Sequence, residues 1–289
     1  MPKIYTKLFD RLEMGDDCPT VIMGVLNLSP ESFYKGSVYK DLDLLKEGAL
    51  SMIKNGARML DIGARSTAPW SKKIDVSEEI QRIKPAMENL CKIVSDDIIL
   101  SVDTQYRAVA EEAFNIATSY NTKIILNDVS CLKTDPTLAE FIIEHDLPII
   151  LMASKKIPGD ILTIDEAIIE FQNTIQMLVN KGYNESKIIL DPGIGHWIKD
   201  KEYTYDLKLI AELKTLKKLQ KSILVAISRK SFIGETLNIP EPEKRLNGTL
   251  SATAIAVYNG AHIVRTHDVT PQLKEIIQMA EAIRNAEQI

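Results

Sequence analysis

A chain of 289 residues, 45% of them hydrophobic, is long enough for one large globular domain or two small ones. Its net charge of −5, with acidic and basic residues interspersed, leaves no basic stripe of the kind a nucleic-acid surface needs. Cys18, Cys91 and Cys131 stand far apart without a CxxC pair, which speaks against a disulfide framework or a cysteine zinc site. The charged N-terminus and the absence of any apolar run near roughly 18–20 residues speak against a signal peptide or a membrane span, so a cytoplasmic protein is expected.

After an N-terminal extension of roughly twenty residues, a rhythm begins. The first apolar, β-branched run is Thr20–Asn27, which ends in an asparagine and opens into "LSPESFYKGSV". A helix is expected over Asp43–Asn55. The second run, Ala57–Gly63, carries Asp61. Ile80, Ile83, Met87, Leu90 and Val94 then recur at helical spacing behind the candidate cap Ser77, with Pro85 predicting a kink or a break. The third run, Ile98–Thr104, carries Asp103 and precedes a helix over Gln105–Thr118. The fourth, Lys123–Asp128, ends in Asn127 and Asp128, with a shorter helix near Pro136–His145. The fifth, Pro148–Ala153, ends in Met152 and Ala153, and a helix follows over Ile164–Lys181. The sixth, Lys187–Pro192, ends at Asp191 in "DPGIG", with helical period in Leu207, Ile210, Leu213 and Leu216. The seventh, Ser222–Ser228, runs into Arg229 and Lys230, with a helix over Gly248–Asn259. The eighth, His262–Asp268, carries Arg265 and His267, and Gln272–Glu287 reads as the last helix.

Runs apolar on both faces are what parallel, helix-covered strands require. Eight of them alternating with helices predict a (β/α)8 TIM barrel, an α/β fold, as one domain over residues 1–289 with a short N-terminal extension. A doubly wound sheet is the alternative, but no GxGxxG follows the first strand. In a barrel the C-terminal strand ends share one face. Asn27, Asp61, Asp103, Asn127 or Asp128, Asp191, Lys230, Arg265 and His267 would therefore converge there. Folding alone does not select a ring of buried carboxylates, since each is costly to desolvate. Arg265 and His267, two apart, point to one side, whereas only one of Asn127 and Asp128 can face the axis. Such acceptors suit a flat heterocycle presenting N–H groups, such as a purine or a pterin. Arginine can stack on its ring, and lysine and histidine suit oxyanions.

"MGVLNLSPESF", "GARMLDIGARST", "SVDT", "NDVS", "DPGIG", "SRKSFIG" and "VRTHDV", in that order, resemble the dihydropteroate synthase family from about Thr20 to Val269. The resemblance implies a pterin-binding TIM barrel and a transferase that joins a dihydropterin carrying a diphosphate to para-aminobenzoate in folate synthesis. It implies that Asp103, Asn127 and Asp191 hold the pterin edge, that Lys230 reaches its ring oxygen and nitrogen, and that Arg265 stacks on it. It further assigns His267 to the diphosphate, Asn27 to the diphosphate's Mg²⁺, Asp61 and Thr67 to substrate binding, and Ser228 to the benzoate carboxylate. Family members are commonly homodimers, and the partners otherwise implied are small-molecule substrates.

The sequence also departs from the family. Ala68, in "STAPW", replaces an arginine, for which Arg65 is a candidate substitute; His196 and Trp197 replace an aromatic–glycine pair; the fifth strand ends "LMAS" instead of Leu-Met-His; Glu31 stands for aspartate. Because the departures lie on the amine side, a second expectation is an archaeal-type variant. Its acceptor would be a ribosylated, phosphorylated aniline of tetrahydromethanopterin-type synthesis, with Lys72, Lys73, Lys155 and Lys156 as phosphate partners. Two rival readings are a pterin-dependent methyltransferase on the same barrel and a pterin-binding protein without catalysis.

Overall fold

The computed structural model describes residues 2–29, 38–39, 41–66, 71–195, 198 and 201–286. Eight parallel strands, β3 (Val21–Asn27), β4 (Ala57–Gly63), β5 (Ile99–Asp103), β6 (Ile124–Asp128), β7 (Ile149–Met152), β8 (Ile188–Asp191), β9 (Ser222–Val225) and β10 (Ile263–Thr266), close on one another in chain order, with β10 pairing back to β3. All eight fall within the apolar runs, trimmed by a residue or two at most at their ends except β9, which stops three residues early. The α/β expectation of a (β/α)8 barrel is met.

Each strand divides its side chains by alternation. Leu60, Ile62, Leu100, Val102, Leu126, Leu151, Leu190 and Val264 point outward into the layer shared with the helices. Val21, Met23, Met59, Ile99, Ile125, Ile150, Ile189, Leu224 and Ile263 fill the lower barrel interior. One pleat higher, the same inward rows become polar: Asp61, Ser101, Asp103, Asn127, Asp191 and Arg265. The apolar layers close the barrel below, and the polar layer begins where the strands end.

The outer ring is α1 (Leu42–Lys54), α2 (Val76–Cys91), α3 (Arg107–Ser119), α4 (Thr137–Glu144), α5 (Ile164–Asn180), α6 (Tyr203–Ala211), α7 (Ser231–Leu237), α8 (Leu246–Tyr258) and α9 (Pro271–Ala286). Two helix expectations need correction. The cap of α2 is Asp75, whose carboxylate accepts the Glu78 N–H, while the Ser77 hydroxyl donates to that same carboxylate. The helix also runs unbroken through Pro85. The proline withholds one N–H from the Gln81 carbonyl, and Gln81 is exposed, so water can take its place. Val94 lies beyond the helix end. The helix expected over Leu207–Leu216 divides into α6 and a 3-10 segment, Leu213–Leu219.

The N-terminal extension is itself structured. β1 (Tyr5–Leu8) and β2 (Leu12–Gly15) form an antiparallel hairpin, turned by Phe9 and Asp10 with φ near +50°. Leu8, Leu12 and Met14 pack against the lower barrel layer, so the hairpin plugs the end opposite the polar layer. Asp16 then ties it down: its carboxylate accepts the Ile4 N–H, the Lys217 ammonium at 2.5 Å and the His262 ring N–H at 3.3 Å. His262 Nδ1 accepts the Ile223 N–H, which leaves the ring proton on Nε2, facing Asp16.

Candidate active site

The upper barrel layer brings together Asp61 from β4, Asp103 from β5, Asn127 from β6, Asp191 from β8 and Arg265 from β10. Arg265 is the hub. Its Nε donates to Asp61 Oδ2 at 2.6 Å, and a terminal nitrogen donates to Asp103 Oδ2 at 2.9 Å. The Asn127 amide donates to Asp61 at 3.3–3.4 Å, which fixes the amide's orientation and leaves its oxygen buried without a partner. Ser101 Oγ, one pleat below Asp103, is also buried and unpartnered. Unsatisfied acceptors in a cluster of carboxylates are the complement of a ligand that presents N–H groups.

The alternation settles the choice at the end of β6. Asn127 faces the barrel. Asp128 faces away and holds the following turn, accepting from Ser130 N (2.8 Å), Ser130 Oγ (2.7 Å) and Leu132 N (2.5 Å). β7 contributes Met152, an apolar wall beside Gly193.

On the β8–β9 side, Asp191 Oδ1 accepts the Gly193 N–H at 2.8 Å, and Lys230 Nζ donates to the Ile194 carbonyl at 2.5 Å. Gly195 has φ +71°, and a Cβ there would meet Lys230 Cδ at 2.3 Å. Only glycine lets the lysine stem lie across this turn. Burial raises the pKa of Asp191 against the pull of Lys230, and burial lowers Lys230 to about 8, with Arg265 and Lys201 adding to the fall and Asp191 and Asp206 opposing it. Asp103 is also raised, by burial first and by the Asp61 charge second, against Arg265. Burial would lower Arg265, but Asp61 and Asp103 outweigh it and hold the guanidinium charged.

His267 Nδ1 lies 3.0 Å from Ser228 Oγ, which also accepts the His267 backbone N–H. When the serine hydroxyl donates to Nδ1, the ring proton sits on Nε2. Burial first, then Arg265, Arg229 and Lys230, push the His267 pKa down to about 3. The ring is a neutral hydrogen-bond donor at ordinary pH.

Further side chains brace these groups. Arg229, with φ +58°, grips Asp268 through two nitrogens at 2.7 and 2.8 Å and also donates to the Pro242 and Glu243 carbonyls. Fully buried Glu79 accepts Arg65 Nε at 2.6 Å and Thr104 Oγ1 at 2.7 Å, next to Asp103. Arg65 also donates to the Ile74 carbonyl, and its guanidinium lies 4.8 Å from the Tyr106 ring centroid. It is thus engaged in the rim of the barrel through Nε and Nη1, while Nη2 is buried without a partner. Lys155 pairs with Glu166 at 2.7 Å, while Lys72, Lys73 and Lys156 are exposed. Thr67, Ala68, Trp70, His196, Trp197 and residues 30–37, including Glu31, lie outside the described residues.

Among the described residues no group of three or more His, Cys, Asp or Glu side chains could cage a metal ion. Asn27, at the end of β3, offers a single amide oxygen, with its carbonyl taken by Tyr39 N. That donor set fits a Mg²⁺ ion carried in by phosphate oxygens and keeping most of its waters.

Residues 23–267 match the family described as pterin binding enzyme. Over 266 residues the chain is 35% identical to the dihydropteroate synthase of Bacillus subtilis, covering 92% of this chain and 89% of that one. It is similar in fold to the dihydropteroate synthase of Yersinia pestis solved with a sulfonamide drug complex (TM-score 0.85, 31% identity, 98% and 100% of the two chains). It is also similar to that of Coxiella burnetii solved with pteroic acid (TM-score 0.83, 31% identity, 98% and 99%).

Proposed function

The chain belongs to the pterin-binding enzyme family, and from that premise we propose that it joins a dihydropterin bearing a CH2-diphosphate to para-aminobenzoate, forming dihydropteroate for folate synthesis. The observation that carries this is the polar upper layer: three carboxylates, an amide and an arginine on inward rows of a barrel that is apolar below, with Lys230 beside them at the start of α7.

The residues have separable tasks. Asp103, Asn127 and Asp191 accept and donate at the amidine edge of the pterin, and Lys230 meets its ring carbonyl. Arg265, held by Asp61 and Asp103, presents a flat cation to the ring face. Asp61 supports the pterin and orients Arg265 and Asn127 together. In the reaction the carbon–oxygen bond to diphosphate breaks as the amine nitrogen forms a carbon–nitrogen bond. The nitrogen then loses a proton, and diphosphate leaves. His267 donates from Nε2 to a phosphate oxygen, with Ser228 holding the ring. The amine is already nucleophilic, so catalysis is positioning and charge stabilisation, without a covalent enzyme intermediate. Mg²⁺, with Asn27 as its protein ligand, would neutralise the diphosphate. Thr67 and the Ser228 side of the site complete the substrate contacts.

We also infer a homodimer through α8 and α9, where Ile255, Met279 and Ile283 are exposed around an apolar groove with Ala254, Tyr258 and Ile276. Among the described residues, no helix is long and apolar enough to cross a membrane. We place the protein in the cytoplasm as one domain, where a folate precursor would be made.

Turnover with dihydropterin diphosphate tests the reading. Diphosphate release that requires para-aminobenzoate supports it. Release only with a ribosylated, phosphorylated aniline favours the altered acceptor. Methyl transfer without diphosphate release favours the methyltransferase alternative, and tight pterin binding without turnover favours the non-catalytic one.

A further inference from the structure

The turn after β8 is held from an unexpected side. Lys201 and Asp206 form an ion pair at 2.7 Å, with 2% and 5% of their side chains exposed. The Asp206 oxygen that accepts Lys201 also accepts the Gly195 N–H at 2.8 Å. Lys201 Nζ also lies 3.4 Å from the Gly193 carbonyl. The pair therefore grips the backbone on both sides of Ile194, whose carbonyl receives Lys230. Asp191 secures the same turn from within through Gly193 N. Asp206 sits in the first turn of α6, where the helix dipole favours its charge.

Isolated buried ion pairs contribute little net stability, and apolar substitutes of similar volume are often as good or better. A pair at this position instead sets geometry. We propose that Lys201–Asp206 is a positioning device for substrate: it fixes the Gly193–Gly195 turn and, through the Ile194 carbonyl, the Lys230 ammonium that meets the pterin. This rests on the pterin reading above. The charged groups acting on Lys230 are Asp191 and Asp206 from β8 and α6, Lys201 beside them, and Arg265 from β10; Lys230 in turn acts on His267. Removing Lys201 takes away one of the cations that lower Lys230.

The test compares wild type, Lys201→Met, and the double variant Lys201→Met with Asp206→Leu. Wild-type diphosphate release is measured first, and its absence would refute the pterin reading, not the device. Given an active wild type, the double variant should melt within a few degrees of it. Its KM for dihydropterin diphosphate should rise about ten- to a hundredfold, the range for partners behind a site ligand, with KM for para-aminobenzoate unchanged. In Lys201→Met the alkaline limb of kcat/KM, near pH 8 in wild type, should move to higher pH. A double variant with wild-type KM overturns the proposal. So does an equal loss for both substrates that tracks melting, or failure of both variants to fold, since each makes the pair structural.

Discussion

Replacing Arg265 with methionine probes the hub of the site, and its cost can be worked from the geometry. The guanidinium makes charge-assisted contacts of 2.6 Å to Asp61, whose side chain is 0% exposed, and 2.9 Å to Asp103. Methionine keeps much of the stem but leaves two carboxylates facing each other, with only the long Asn127 contact left to Asp61. Breaking a buried pair from one side costs about 3–5 kcal/mol, and with Arg265 itself partly exposed the lower end, about 3 kcal/mol, is expected at pH 8. The pH dependence has a definite sign. The Asp103 carboxyl, already raised by burial and by the Asp61 charge, loses the cation that opposes that rise. Its contribution to stability is full below about pH 4 and is lost as pH rises through its folded value. Urea midpoints of variant and wild type at pH 5, 6.5 and 8 should therefore diverge as pH rises, and adding Asp61→Asn should recover part of the loss. A deficit below about 1 kcal/mol, or one that does not change with pH, would refute the shared-cation network. The variant should also lose about a hundredfold in kcat/KM for the pterin substrate, since ring face and edge are addressed through the same guanidinium.

His267→Gln should lower kcat about ten- to a hundredfold without changing the shape of the pH profile between 5 and 8, because the ring is already neutral there. The folded pKa of about 3 lies below the unfolded value, so this histidine's stability contribution is full above roughly pH 6.5 and is lost as pH falls toward 3; acid titration of the melting temperature should show the variant less sensitive. Leu8→Ala, in the hairpin plug, should cost about 2–4 kcal/mol in urea unfolding while leaving both KM values alone, since the plug closes the opposite end of the barrel. Asn27→Ala should reduce turnover and raise the Mg²⁺ concentration needed for half activity while circular dichroism stays unchanged, because the variant keeps the backbone carbonyl that accepts Tyr39 N.

The barrel was legible because burial on both faces leaves strands no polar alternation, and eight such runs separated by helices admit few closures. The hairpin was not. "IYTKLFDRLEMG" alternates correctly, with Thr6, Leu8, Leu12 and Met14 buried, but its turn is Phe-Asp-Arg, without the Asn-Gly or Asp-Gly that signals a tight hairpin. The helical cap at Asp75 was obscured because Ser77 sits two residues later with the same chemistry. Glu79 and Asp206 are charges on helices, and Lys201 stands just before one. Their burial depends on which helix face turns toward the strand ends, which spacing in one helix cannot reveal.

Alternation at the strand ends accounts for why polar residues there come in adjacent pairs. Asn127 faces the site and Asp128 ties the next turn. Past the end of β9, Ser228 and Lys230 flank Arg229, whose left-handed backbone (φ +58°), not strand alternation, sends its side chain to Asp268. His267 faces the site, and its neighbour Asp268 turns outward to meet Arg229. The Arg229–Asp268 contact thus joins, from behind, the two segments that carry Lys230 and His267. A chain that must hold a charged group at a strand end needs a brace on the opposite face of the same backbone. The nearest position that supplies one is the adjacent residue. Read this way, "ND", "SRK" and "HD" each combine a contact residue with its support. A substitution at Arg229 should act on Lys230 and His267 together, whereas one at Asp128 should act on the turn after β6 alone.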